Sequence, residues 1–201
     1  MPTTLYQLKP AFQTLLRPAT LALWRSGVTA NQVTVSAAVL SVTTGVVMAT
    51  YSPHPRVLLL LAPVLLLRMA LNAIDGVLAR EFGLESRSGA ILNELGDVIS
   101  DTALYLPLAL GWGFSPTLIT LVVIAAVISE MTGVLGLATG TRHHDGPMGK
   151  SDRAFIFGVA SLAIGFGVPA GAWQDIVLEF ILFLLVITIA NRARGALLEG
   201  Q

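Results

Sequence analysis

The sequence predicts an all-α, polytopic membrane protein with six transmembrane helices and an N-terminal amphipathic interfacial helix. Three observations carry that expectation. Hydrophobic residues make up 54% of the 201 positions and charged residues only 12%, with a mean hydropathy of +0.77, a balance suited to a bilayer. The apolar residues collect in runs of about 20, the length at which a helix crosses a hydrocarbon core. The basic residues fall almost entirely in alternate connections, the asymmetry that sets membrane orientation. A soluble helical bundle is the competing class, but the long apolar segments leave it little sequence for a hydrated surface.

Residues 1–32 are read as the amphipathic interfacial segment and 33–201 as the six-helix membrane domain. In the first, Leu5, Leu8, Phe12, Leu15, Leu16, Leu21 and Leu23 mix with Lys9 and Arg17. That pattern predicts one or two short helices at the interface, interrupted or capped near Pro10 and Pro18; the alternative is a polar lead-in to the first span. The start lacks the basic region, short apolar run and small-residue cleavage site of a secretory signal, so it is expected to be retained. Thr29, Asn31 and Thr34 stand at the entry to the first span, where Thr29 or Asn31 is placed to cap the helix.

The spans expected from hydropathy are Val33–Thr50, Val57–Ala79, Ala90–Leu110, Pro116–Leu137, Ala154–Pro169 and Asp175–Ala190. Ser52 to Pro55 and Gly111 to Pro116 read as short outer turns. With a cytoplasmic N terminus, Lys9, Arg17, Arg25, Arg80, Arg87, Arg142, Lys150, Arg153, Arg192 and Arg194 all lie on the cytoplasmic side, and only Arg56 lies outside. The predicted topology is therefore N-in and C-in. The absence of cysteine removes disulfides, thiolate catalysis and zinc–thiolate sites. A formal net charge of zero without a broad basic region argues against a nucleic-acid partner.

The chemistry gathers between residues 72 and 97, NAIDGVLAREFGLESRSGAILNELGD. Arg68, Asn72, Asp75 and Ala79 follow helical spacing, so a polar stripe faces the bundle interior while leucines face lipid. On the next span Asn93, Asp97 and Asp101 form one ladder, with Glu94 at its edge. Carboxylates this close repel unless hard cations or protons compensate them; a structural hydrogen-bond or proton network is the alternative. Oxygen ligands without cysteine or a nearby histidine pair favour magnesium or manganese over zinc. Gly76 and Ala79 leave room for a phosphate or nucleotide, though small residues equally permit close helix packing. The chemistry suggested is metal-assisted phosphoryl transfer at the membrane surface.

This stretch resembles the signature of the CDP-alcohol phosphatidyltransferase family, D-x2-D-G-x2-A-R-x8-G-x3-D-x3-D, which aligns without gaps on Asn72, Asp75, Gly76, Ala79, Arg80, Gly89, Asn93 and Asp97. The resemblance runs through all six spans and points to a divergent bacterial branch. It implies that Asn72, Asp75, Asn93 and Asp97 hold two Mg2+ or Mn2+ ions, while helix spacing places Glu94 or Asp101 to restore the acidity lost at the asparagines. It further implies that Asp97 is the base activating the acceptor alcohol, and that Gly76, Ala79, Arg80 and Gly89 line the cytidine end. CDP-diacylglycerol is then the activated substrate, CMP the leaving group, and the protein a homodimer in the bacterial inner membrane with its site facing the cytoplasm. The two asparagines depart from the signature: each keeps a carbonyl ligand but no negative charge.

Lys150, Ser151 and Arg153 in GKSDR resemble the family's GK segment and, with Arg68, are expected to meet substrate. Plain positive-inside anchoring also accounts for the two cations. The 140–153 connection is expected to join the pocket, and His143 and His144 are read as loop residues. Glu130 inside the fourth span needs a partner, for which Arg68 is a candidate; the partner of Glu179 stays open, and Arg192 and Arg194 are read as headgroup contacts. Three competing readings remain: transfer from a CDP-alcohol to diacylglycerol, a catalytically silent membrane scaffold or lipid-binding protein, and a transporter. The uninterrupted spans disfavour the last.

Overall fold

The computed structural model describes residues 9–136 and 146–198. Within them the chain is helical throughout: α1 (Lys9–Arg25), α2 (Ala30–Thr50), α3 (Leu61–Glu81), α4 (Arg87–Tyr105), α5 (Pro116–Leu135), α6 (Lys150–Gly165) and α7 (Ala172–Leu198). Short 3-10 turns at Pro55–Leu60 and Leu106–Leu110 lead into α3 and out of α4. All six apolar segments expected from hydropathy are thus helical, with His143 and His144 outside the described residues. Four helical stretches are long and apolar enough to cross a membrane: Ala30–Thr50, Pro55–Glu81, Pro116–Leu135 and Ala172–Leu198. The other two fall short for different reasons: α4 carries Arg87, Glu94, Asp97 and Asp101, and α6 is only 16 residues long.

Helix boundaries follow local chemistry. At the start of α2 the Thr29 hydroxyl accepts from the Gln32 amide and the Gln32 side chain accepts from the Thr29 amide, a reciprocal capping box. Of the two caps the sequence offered, Thr29 is the one used. Ser86 accepts from the Gly89 amide at 2.9 Å to open α4, and Asp152 accepts from the Gly149 amide at 2.9 Å to open α6. Pro18 lies inside a continuous α1 rather than breaking it. That helix rests on α3 through an Arg17–Glu81 pair at 3.3 Å and Trp24–Phe82 rings 4.8 Å apart.

The helices alternate in direction. Thr34 near the start of α2, Asp75 near the end of α3, Asp97 on α4, Glu130 near the end of α5, Lys150 at the start of α6 and Arg192 near the end of α7 all converge at one end. At the far end Ser52 donates to the Leu110 carbonyl at 3.2 Å, and Gln174 donates to the Trp112 carbonyl at 2.5 Å. Trp112 itself takes a left-handed φ of 59°, a cost that the two flanking glycines and this hydrogen bond help to hold.

Packing depends on close approach, because lipid tails give apolar side chains no reason to prefer protein over bilayer. At Gly45 a Cβ would overlap the Ala103 carbonyl oxygen, so α2 and α4 meet backbone to backbone. The main apolar core joins Leu58, Leu61, Leu104, Tyr105, Ile119, Phe157, Leu178 and Leu185, with Tyr105 stacked on Phe157 at 4.3 Å. Outward faces are apolar. On α4, Ile91, Leu95 and Ile99 point away from the bundle, opposite the ladder that carries Asp97 and Asp101.

Candidate active site

The polar stripes of α3 and α4 face one another. Asn72 Nδ2 donates to Asp97 Oδ1 at 2.7 Å. An ionised carboxylate only accepts, so the amide must turn its NH2 toward Asp97 and its carbonyl elsewhere. One turn on, buried Asp75 accepts from the Thr34 hydroxyl at 2.9 Å, which fixes the carboxylate from α2. Asp75 and Asp97 lie near enough for their charges to interact unfavourably. Arg68 reaches Asp97 Oδ1 and its backbone carbonyl, each at 3.2 Å, while the Lys150 ammonium pairs with Asp97 Oδ2.

The remaining signature positions surround this pair. The Arg80 guanidinium folds back over Gly76, where a Cβ would stand 2.9 Å from Nη2. Ala79 is half-buried beside it and Arg80 is exposed. Gly89 admits the Asn31 side chain, whose Oδ1 would sit 2.6 Å from an added Cβ. Asn93, one turn before Asp97, and Ser151, next to Lys150, are both half-buried.

Behind the signature lies a second, deeper layer. Arg68 pairs with Asp101, and Arg153 Nη2 bonds Asp101 Oδ2 at 2.7 Å and Glu130 Oε1 at 3.1 Å. Lys150 and Arg192 approach Glu130 at 3.6 and 3.7 Å, and Arg192 also donates to the Ser129 carbonyl at 2.6 Å. This network ties α3, α4, α5, α6 and α7 together. Removing one partner of such a buried set leaves an uncompensated charge, at a cost of about 3–5 kcal/mol.

Several expectations change in this light. Asp101, grouped with the metal-facing ladder, has both oxygens committed to guanidinium groups. Arg153, expected at substrate, is fully buried at 0% exposure, and Arg68 is likewise enclosed between α3 and α4. Glu130 meets Lys150, Arg153 and Arg192 instead of Arg68, because Arg68 faces α4 and is taken there. Arg192, read as a headgroup contact, is buried at 4% exposure. Glu179 is exposed on α7. The sequence also hid the Thr34–Asp75 bond; its one signal was a hydroxyl at the start of an apolar span.

Among the described residues no three His, Cys, Asp or Glu side chains gather as a metal site. Asn72 and Asn93, standing where the signature has aspartates, account for that. The Asp75 and Asp97 carboxylates lie near one another, Asn72 bonds Asp97 through its NH2 and so keeps its carbonyl oxygen free of that bond, and Asp75, buried at 6% exposure, is in no ion pair among the described residues. Such a set fits a hard divalent cation.

An alternating helical bundle with this signature at one end defines a CDP-alcohol phosphatidyltransferase. The family model of that description matches residues 27–192, and the chain belongs to this family. Among its relatives, the chain is 45% identical over 196 residues to the inner membrane protein YnbA of Escherichia coli (strain K12), with 97% of each chain covered. Among solved structures it resembles the phosphatidylinositol phosphate synthase PgsA1 of Mycobacterium tuberculosis in complex with manganese and citrate. That match has a TM-score of 0.73 at 23% identity and covers 90% of this chain and 88% of the other. The same enzyme with CDP-DAG bound also gives 0.73 at 23% identity, covering 89% and 92%.

Proposed function

We propose that this protein transfers a phosphatidyl group from CDP-diacylglycerol to an alcohol or alcohol phosphate, releasing CMP, with a divalent cation. The observation that carries this reading is the meeting of Asn72, Asp75, Asp97 and Lys150 from three helices at one end of the bundle. The acceptor oxygen forms a bond to the phosphatidyl phosphorus, the bond from that phosphorus to CMP breaks, and CMP leaves with the electron pair. Asp97, whose carboxylate faces Arg68, Lys150 and Asn72, takes the acceptor proton. Gly76 and Ala79 leave space for the cytidine end, and Arg80 closes it. Asp75, with the Asn72 carbonyl, would hold the cation, which would neutralise phosphoryl oxygens.

The reading has six membrane spans, with α1 at the interface: to the four long apolar helices it adds α4 with its 3-10 extension and α6, whose charged first turn sits at the site end. The basic residues favour N-in and C-in, with the site facing the cytoplasm of a bacterial inner membrane. The relative's description as an inner membrane protein supports that location. A homodimer with one site per chain completes the reading.

The test is an acceptor screen on purified protein in nanodiscs, following CMP release from CDP-diacylglycerol with product identification by mass, with and without EDTA. Metal-dependent CMP release supports the proposal. CMP formed only from a CDP-alcohol and diacylglycerol transfers the reading to the opposite headgroup arrangement, and no turnover across a broad panel returns it to a silent membrane scaffold.

A further inference from the structure

We infer that the site takes a single divalent ion per chain, seated on Asp75, and that the Lys150 ammonium supplies at Asp97 the positive charge a second ion would bring. The inference rests on the metal-assisted reading above and departs from the two ions expected by resemblance.

Charge pairing carries it. Asp97 already meets two cations, Arg68 at 3.2 Å and Lys150, and also accepts from Asn72. Asp101 and Glu130 are likewise met by Arg68, Arg153, Lys150 and Arg192. Asp75 differs: among the described residues it is in no ion pair and accepts from the neutral Thr34 hydroxyl, with the Gly76 amide and the more distant, exposed Arg80 guanidinium as its further partners. It is the least compensated carboxylate of the cluster. A second divalent ion at Asp97 would stand beside the two cations that already pair with that carboxylate. Such like-charge crowding in a low dielectric is unfavourable.

The asparagines agree with this count. Asn72 spends its NH2 on Asp97 and retains one carbonyl, so it cannot bridge two ions as a carboxylate does. Asn93 offers another neutral carbonyl one turn from Asp97. Lys150 is held in place, not a free surface lysine: Gly149 is bonded to Asp152 at 2.9 Å, and Met148 to Thr188 at 3.0 Å, just before it.

The measurement is a Mn2+ titration followed by electron paramagnetic resonance on the full chain in nanodiscs, with CDP-diacylglycerol present. Wild type is expected to bind one Mn2+ per chain with an uncoupled spectrum. The N72D/N93D/K150Q variant is expected to bind two, exchange-coupled at the roughly 4 Å spacing of paired-metal sites. Two coupled ions in wild type overturn the inference, and do so whether or not the triple variant folds. A folded triple variant that still binds one ion overturns the role given to Lys150 and the asparagines. CMP release accompanied by two ions would sink this inference alone. One ion without CMP release from any acceptor would keep it and remove the proposed reaction, and no bound Mn2+ at all would remove both.

Discussion

Asp97 is the most heavily contacted member of the signature, since an amide, a guanidinium and an ammonium meet on one carboxylate. Replacing it by asparagine tests a catalytic against a structural role. Neither cation would be orphaned, because Arg68 keeps Asp101 and Lys150 keeps Glu130. We therefore expect D97N to lower CMP release by about 10²–10⁴-fold, the usual weight of a general base, with folded yield near wild type; parallel losses in both would mark Asp97 as structural. Thr34 acts through Asp75. T34V should weaken Mn2+ affinity and turnover together by about 10–100-fold, as loss of a ligand-orienting hydrogen bond does, and a titration beside the CMP assay reads both.

Two contacts between helices decide whether these side chains meet. The first is Gly45 on α2, where the Ala103 carbonyl of α4 occupies the space of a Cβ. Because α2 carries Thr34 and α4 carries Asp97, G45A should push both away from alignment. The expected cost is about 1–3 kcal/mol of stability, seen as a lower thermal midpoint in detergent, with turnover falling alongside. The second is Arg153 on α6, buried between Asp101 of α4 and Glu130 of α5. R153M should destabilise by about 1–3 kcal/mol through the lost charge-assisted hydrogen bonds, since Asp101 keeps Arg68 and Glu130 keeps Lys150 and Arg192, and R153K, which keeps the charge, should recover part of that. A midpoint unchanged in R153M would show that the network is not under electrostatic load.

Across the whole molecule, alternation of helix direction puts every site residue at one end, so a single topology decides which compartment supplies the acceptor. The chain has no cysteine, and single-cysteine variants are free of background. Cysteines placed near Arg87 at the site end and near Ser52 at the far end should be labelled by impermeant thiol reagents from opposite sides of sealed vesicles. Labelling of both from one side would refute the N-in, C-in arrangement and the orientation built on it.

The helices, their order and the polar stripe were legible in the sequence because each depends on spacing along one segment: apolar runs of spanning length, carboxamides and carboxylates at helical intervals, a threonine before a span. Those regularities also carried the family signature. The sequence could not give the partners. Lys150 meets Asp97 across 53 positions and Arg153 meets Asp101 across 52, and such pairings are chosen by which helices pack side by side and how closely. Periodicity put Asp101 on the same face as Asp97, but packing gave Asp101 two guanidinium groups and Asp97 a guanidinium, an ammonium and an amide. Helical spacing fixes a residue's face, whereas its neighbours are fixed by tertiary packing, and in a low-dielectric interior the neighbours determine which charges remain for a ligand to satisfy.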